Sequence, residues 1–150
     1  MILAEAIKEK DYIKKSINSL EEYLYSIMVV QDKTEFKMNK SLIDGRLDEL
    51  RDLYKKYQQF SVTIERAKAK ASIKVNDTKL SLLDAIAVKN AMESKLETFE
   101  NLISYAYDKN SHGILYIDID DLFKEIEDIK IDIKTLDSEI EYAYWNIEVS

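Results

Sequence analysis

Apolar residues recur along this chain at alternating steps of three and four, over four separate stretches. The first reads Leu3, Ala6, Lys10, Ile13, Ile17, Leu20, Leu24 and Ile27, with Ile7 and Met28 widening the stripe. This is the heptad rule of helices packed along their length. It predicts a helix from about Ile2 to Val29. The second carries Ile43, Leu47, Leu50, Tyr54, Tyr57, Ser61 and Ile64, and is expected to end near Ala69 to Ala71. The third reads Leu82, Ala85, Lys89, Met92, Leu96, Phe99, Ile103 and Ala106, fading over Asp108 to Gly113. The last is the cleanest, with Leu122, Ile126, Ile129, Ile133, Leu136, Ile140, Ala143 and Ile147. At 1.5 Å per residue that helix would be about 40 Å long.

The segments between the stripes set the boundaries. A polar link is expected over Gln31 to Lys40. Ser41-Leu42-Ile43-Asp44 then reads as a capping box opening the second helix, because a serine hydroxyl can accept from a backbone N–H three residues on. Ser81-Leu82-Leu83-Asp84 repeats the pattern at the third helix, and Asp118 or Asp120 can cap the fourth. The residues that follow the two serine starts disagree, so these are two independent caps rather than a repeat. Ser72-Ile73-Lys74-Val75 alternates polar and apolar before a turn-like Asn76-Asp77-Thr78, and reads as a short strand. Ile114-Leu115-Tyr116-Ile117 is the second strand candidate, and pairing 72–75 with 114–117 would make a small ribbon. The fold expected is all-α: four long heptad-patterned helices of antiparallel bundle or coiled-coil type, in a single domain over 1–150.

Composition supports long helices. Among 150 residues there is no proline, and there are only two glycines, Gly45 and Gly113. Proline breaks helices and glycine weakens them by about 1 kcal/mol. The net charge of −7 disfavours nucleic acid partners. The absence of cysteine excludes disulfides, thiolate metal sites and cysteine nucleophiles. The opening Met1-Ile2-Leu3-Ala4-Glu5 turns charged too soon for a secretory signal. The apolar run from Tyr23 to Gln31 is shorter than the roughly 20 residues a membrane span needs. A cytoplasmic protein with no membrane partner is the expectation.

Catalytic, metal and cofactor chemistry lacks its parts. His112 is the one histidine, beside Gly113 in a loop, with no second histidine or cysteine for zinc or a nucleophile triad. Glu-x-x-His pairs for a di-metal bundle site are absent. Asp118-Ile119-Asp120-Asp121 with Glu125 suggests calcium. An EF-hand loop started there would need glycine and a carboxylate where Phe123 and Ile129 stand. Aspartates favouring a helix N-terminus explain the cluster better. The two glycines lie far apart, so no phosphate loop exists. No catalytic residue, metal ligand or cofactor is expected, and the chain reads as non-enzymatic.

What remains is surface. Phe123, Ile131, Tyr142, Tyr144 and Trp145 lie outside the last seam, as do Leu53 and Phe60 outside the second. Surplus apolar surface marks a partner face, so self-association is expected, with Phe123, Ile131, Tyr142, Tyr144 and Trp145 as candidate interface. Lys10 and Lys89 occupy seam positions. The expectation is that they lie near helix ends and snorkel to water; the alternative is that they fix register or meet a carboxylate across an interface. Arg66, Lys68, Lys70 and Lys74 form the one basic stretch, a weak candidate for nucleic acid. From Asp118 to Glu141, in contrast, acids far outnumber Lys124, Lys130 and Lys134. A basic end and an acidic helix could meet between subunits.

Several short segments resemble the septicolysin-like family, small bacterial proteins of unknown function. They are Leu3-Ala4-Glu5-Ala6, Val29-Val30-Gln31, Ser81-Leu82-Leu83-Asp84-Ala85, Ile114-Leu115-Tyr116-Ile117, and Leu136-Asp137 through Ile140 to Trp145-Asn146. The chain departs from that pattern in lacking glycine and proline over Gln31 to Lys40 and asparagine over Ala67 to Ala71. The resemblance implies a helical fold with a short ribbon and a ring-like homo-oligomer, with a hexamer as one form. It implies no activity beyond the toxin-like label. The function expected is a scaffold or adaptor of coiled-coil type, open to a protein partner. A pore-forming protein and a weak nucleic acid binder are the alternatives.

Overall fold

The computed structural model describes the backbone of residues 1–29, 33–109 and 118–150, with side chains for all of these except 33–38 and 109. Its elements are α1 (Leu3–Ile27), α2 (Lys33–Lys70), β1 (Ser72–Val75), β2 (Thr78–Ser81), α3 (Leu82–Lys109) and α4 (Ile119–Asn146). The all-α expectation holds, with one small hairpin added. The chain divides into two compact units, Met1–Ala67 with Ile147–Ser150, and Lys68–Asn146.

In the first unit, α1 opens where Glu5 Oε2 accepts the Ile2 N–H at 3.0 Å, half of a capping box, since isoleucine has no oxygen to return the bond. The predicted stripe is the buried one: Leu3, Ala6, Ile13, Ile17, Leu20 and Leu24 all lie in the core. α2 runs antiparallel to α1, as its aromatic and cationic contacts show. Lys10 Nζ sits 5.3 Å from the Tyr57 ring centroid, and the Arg46 guanidinium 5.5 Å from that of Tyr23. Lys10 therefore rests over a neighbouring ring at partial burial, a cation–π contact. The first and last residues of the sequence also meet in this unit. Leu3 N donates to Ile147 O at 2.7 Å, and Val149 N to Met1 O at 3.0 Å.

The second helix differs from its predicted limits. Lys33–Lys40 is already helical, and Ser41 lies within α2 rather than at its start. Lys33–Lys40 holds neither proline nor glycine, so nothing in that segment interrupts the helix. A Ser-x-x-Asp pattern caps only where backbone N–H groups lack intrahelical partners. Gly45 also lies inside the helix, where its cost is spread over a helix of 38 residues.

In the second unit, Ser72–Val75 is a strand as expected, but its partner is Thr78–Ser81, antiparallel, with Ile73 opposite Leu80 and Val75 opposite Thr78. β1 is thus paired in a local hairpin, while 114–117, and with them the ribbon expected between 72–75 and 114–117, lie outside the described residues. The turn decides the local pairing. Asn76 and Asp77 adopt φ of 50° and 65°, the left-handed pair of a two-residue hairpin turn, and asparagine and aspartate are the non-glycine residues that tolerate it best. Local closure also costs less chain entropy than a pairing forty residues away. The ladder extends by one bond, from Leu82 N to Ala71 O at 2.9 Å. Ser81 then caps α3, its Oγ accepting from Asp84 N at 2.9 Å.

α3 and α4 pack antiparallel, since Lys89 pairs with Asp137 and Lys95 with Glu125. Leu82, Ala85, Ile103 and Ala106 face Ile126, Ile129, Leu136, Ile140 and Ala143 in this unit's core, with Ile73 beneath the hairpin. Asp118 Oδ1 accepts from Asp120 N at 3.0 Å and Asp121 N at 3.3 Å, capping α4 as predicted.

Candidate interaction surface

The core is aliphatic. Its buried side chains are leucine, isoleucine and alanine, and among the described residues no tyrosine, phenylalanine or tryptophan is buried. Of the thirteen described aromatic rings, nine are exposed and Tyr57, Phe60, Phe99 and Tyr144 are half-buried, in a chain that is 10% aromatic. A heptad seam between close helices favours compact aliphatic knobs. Rings then fall to the flanks and outer faces.

On α4, Phe123, Ile131, Tyr142 and Trp145 are exposed, Ile131 by 62% and Tyr142 by 68%. At about 100° per residue they share an arc of about 100° opposite the buried seam. These four candidate interface residues lie on one outer face. Tyr144 does not. It is half-buried and lines a cleft of about 370 Å³ with Ile86, Lys89, Asn90, Asp137, Ile140 and Glu141, so it belongs to the α3–α4 junction. Two residues along from Tyr142, it falls about 160° away, towards the seam.

The same cleft contains the seam lysine. Lys89 Nζ lies 2.5 Å from Asp137 Oδ1 and 3.8 Å from Glu93. The expectation that Lys89 snorkels from a helix end is corrected: its side chain is only 24% exposed and it meets a carboxylate across the helix pair. The hydrogen bond to Asp137 holds its ammonium above the ordinary lysine value against the opposing pull of burial. The charges of Asp137 and Glu93 act in the same direction, as does Tyr144.

A second outer face went unrecognised in the sequence. On α3, Leu83, Ala87, Asn90, Ser94, Thr98, Asn101 and Tyr105 repeat at heptad spacing, and all are exposed. Ala91 and Leu102 lie beside them, also exposed. None carries a charge, although 34% of the chain is charged. The signal was present as a second heptad register, hidden because its members are small or polar rather than strongly apolar.

Of the basic stretch, Arg66, Lys68 and Lys70 lie on α2 and Lys74 on β1. Arg66 lies in the first unit; Lys68, Lys70 and Lys74 lie in the second. Arg66 lines a shallow groove of about 350 Å³ on α2 with Gln58, Gln59, Val62 and Thr63. Lys74 is 3.9 Å from Asp77, both well exposed, a pair of small energetic weight. In the first unit a groove of about 500 Å³ between α1 and α2 is lined by Tyr12, Ser16, Tyr23, Arg46 and Glu49, among others. Arg46 is engaged there with Glu49 at 2.8 Å and over Tyr23.

No group of three or more acidic or histidine side chains that could hold a metal occurs among the described residues; His112 lies outside them. Among the described residues no helix is long and apolar enough to cross a membrane.

A model for a family of unknown function, DUF6847, matches residues 10–149. Among solved structures, a functionally unknown conserved protein from Corynebacterium diphtheriae superposes with a TM-score of 0.81 at 18% identity, over 100% of this chain and 99% of that one. At that identity the likeness shows the fold. No curated protein matches the sequence. Neither finding supports the septicolysin-like resemblance.

Proposed function

The chain belongs to the DUF6847 family, whose function is unknown, and we propose that it is a non-enzymatic, self-associating coiled-coil protein of scaffold or adaptor type that works in the cytoplasm. The observation that carries this reading is the placement of the aromatic rings. A chain in which nine of the thirteen described rings are exposed presents the residue types that anchor protein interfaces. The outer face of α4 and the α3 face from Leu83 to Tyr105 supply the surface. A stable interface needs about 800 Å² from each partner, more than one helix face offers, so assembly engages more than one element. The ring-shaped assembly implied by the septicolysin-like resemblance is a finer version of this reading and rests on the short motifs alone.

Multi-angle light scattering on the full chain at micromolar concentration tests the reading. A defined oligomer is expected, and Leu102→Glu with Trp145→Glu should shift its mass toward the monomer while helicity is retained. A strict monomer across the micromolar range refutes it.

A further inference from the structure

The β1–β2 hairpin lies against α3 and α4. No aromatic residue occurs from Ser61 to Thr98 or from Lys124 to Glu141, so smaller side chains alone must fill the wedge between hairpin and helices. They leave it partly open. A cleft of about 220 Å³ lies there, walled by Val75 and Leu80 of the hairpin, Val88 and Met92 of α3 and Leu136 of α4. Asn76, Thr78, Asp132 and Thr135 also line it, and all four are exposed. We propose that this cleft binds a small organic amine, its apolar body between the walls and its ammonium on the Asp132 carboxylate.

Three observations select that ligand. The first is size. An apolar cavity of about 150 Å³ holds benzene, and drug-sized ligands need about 300 Å³ or more. A space of about 220 Å³ therefore suits one ring or a short alkyl chain. The second is the walls. Leu136 is buried and Val75, Leu80 and Met92 are half-buried, so a ligand's apolar body would take from water a surface that the fold leaves partly wetted. The third is the charge beside the walls. The Asp132 carboxylate has no ionic or hydrogen-bonded partner among the described residues. The lysines near it are turned elsewhere. Lys74 lies 3.9 Å from Asp77 and, opposite Lys79, alternates with Val75 to the outer face of the hairpin. Lys130 is 3.6 Å from Glu127. Lys130 and Lys134 each stand two residues from Asp132, about 160° away round α4. Asp128, within about 40° of Asp132 on the helix, opposes an anionic ligand. Thr135 donates its hydroxyl to Ile131 O at 3.1 Å, so its oxygen is oriented to accept from an ammonium.

The test uses the full chain with 2-phenylethylamine as probe. A titration followed by amide NMR should saturate with a Kd of about 1 mM or tighter, the largest shifts falling on residues 75–80, Val88, Met92 and Leu136. Asp132→Asn should weaken the amine at least about fivefold and leave the neutral analogue 2-phenylethanol unchanged. The oppositely charged 3-phenylpropanoate should not bind. Ethylamine, which keeps the ammonium without the ring, should bind at least about tenfold more weakly. Thr78→Trp, which sets an indole in the cleft, should abolish binding of both the amine and the alcohol. Circular dichroism and thermal unfolding check that this variant is folded; if it is not, Val88→Trp replaces it. Ethylamine matching 2-phenylethylamine would mean attraction to an acidic chain at large, and overturns the site. Shifts spread over both units, binding untouched by the tryptophan variant, or no saturation up to about 10 mM overturn it as well. Amine affinity unchanged by Asp132→Asn refutes the selection of a cation.

Discussion

Lys89 on α3 and Asp137 on α4 meet across the helix pair, Nζ to Oδ1 at 2.5 Å, with the lysine at a position where the heptad pattern calls for an apolar residue. The stem of the lysine fills the seam and its ammonium reaches the carboxylate at the edge, so a polar side chain is held in a largely apolar register. The pair fixes how α3 and α4 align, because a slip by one turn would move the ammonium about 5.4 Å from its partner.

Because Asp137 raises Lys89 above the ordinary lysine value of 10.5, the pair stabilises the fold wherever the carboxylate is ionised and the pH lies below that value. That contribution is lost as pH rises through the higher folded-state value. Asp137→Asn should lower stability at pH 7 by about 1 kcal/mol, given a partly exposed pair. The gap between variant and natural chain should close in strongly alkaline solution. Urea unfolding at neutral and alkaline pH measures both effects.

The hairpin turn places Asn76 and Asp77 at positive φ. Asp77→Gly should be neutral or stabilise by up to about 1 kcal/mol, because glycine holds that conformation without strain. Asn76→Val should destabilise by about 1–2 kcal/mol, because a β-branched residue is poorly accommodated there. Thermal unfolding of the two variants should move in opposite directions, or in one direction with Asn76→Val alone losing stability.

Gly45 lies within α2, an added Cβ would meet nothing within 4 Å, and no glycine takes a positive φ among the described residues. Gly45→Ala should therefore stabilise the fold by about 0.5–1 kcal/mol. A loss of stability on denaturant titration would contradict the continuous helix.

Two serines with the same local motif should respond differently. Ser81→Ala removes the cap on Asp84 N and should cost about 1 kcal/mol. Ser41→Ala, in mid-helix and exposed, should be neutral or gain a few tenths of a kcal/mol. Equal losses at both positions would argue that Ser41 starts a helix after all.

Ile17 is 1% exposed and Ile131 62% exposed. Ile17→Ala should cost about 2–5 kcal/mol in folding stability. Ile131→Ala should stay within about 0.5 kcal/mol and act on assembly instead. Chemical denaturation and light scattering separate the two effects.

The alternation of three- and four-residue steps determined a great deal by itself. It located the buried stripes of α1, α3 and α4 position by position, from Leu3 to Leu24, from Leu82 to Ala106 and from Ile126 to Ala143. It could do so because helical periodicity is a local property of the chain. Ser81 and Asp118 were legible as caps for the same reason. The start of α2 was not. Ser41-Leu42-Ile43-Asp44 satisfies the motif, but a cap forms only if the preceding residues leave the helix, and nothing in Lys33–Lys40 makes them do so. The pairing of β1 with Thr78–Ser81 depended on the tight turn at Asn76 and Asp77, which closes the chain locally at little entropic cost. The fate of Lys89 depended on which residue α4 sets opposite it, and the separation of Tyr144 from Tyr142 on which side of α4 meets α3. Those facts belong to the tertiary structure, because burial, ion pairing and exposed faces arise only when two helices choose a register against each other.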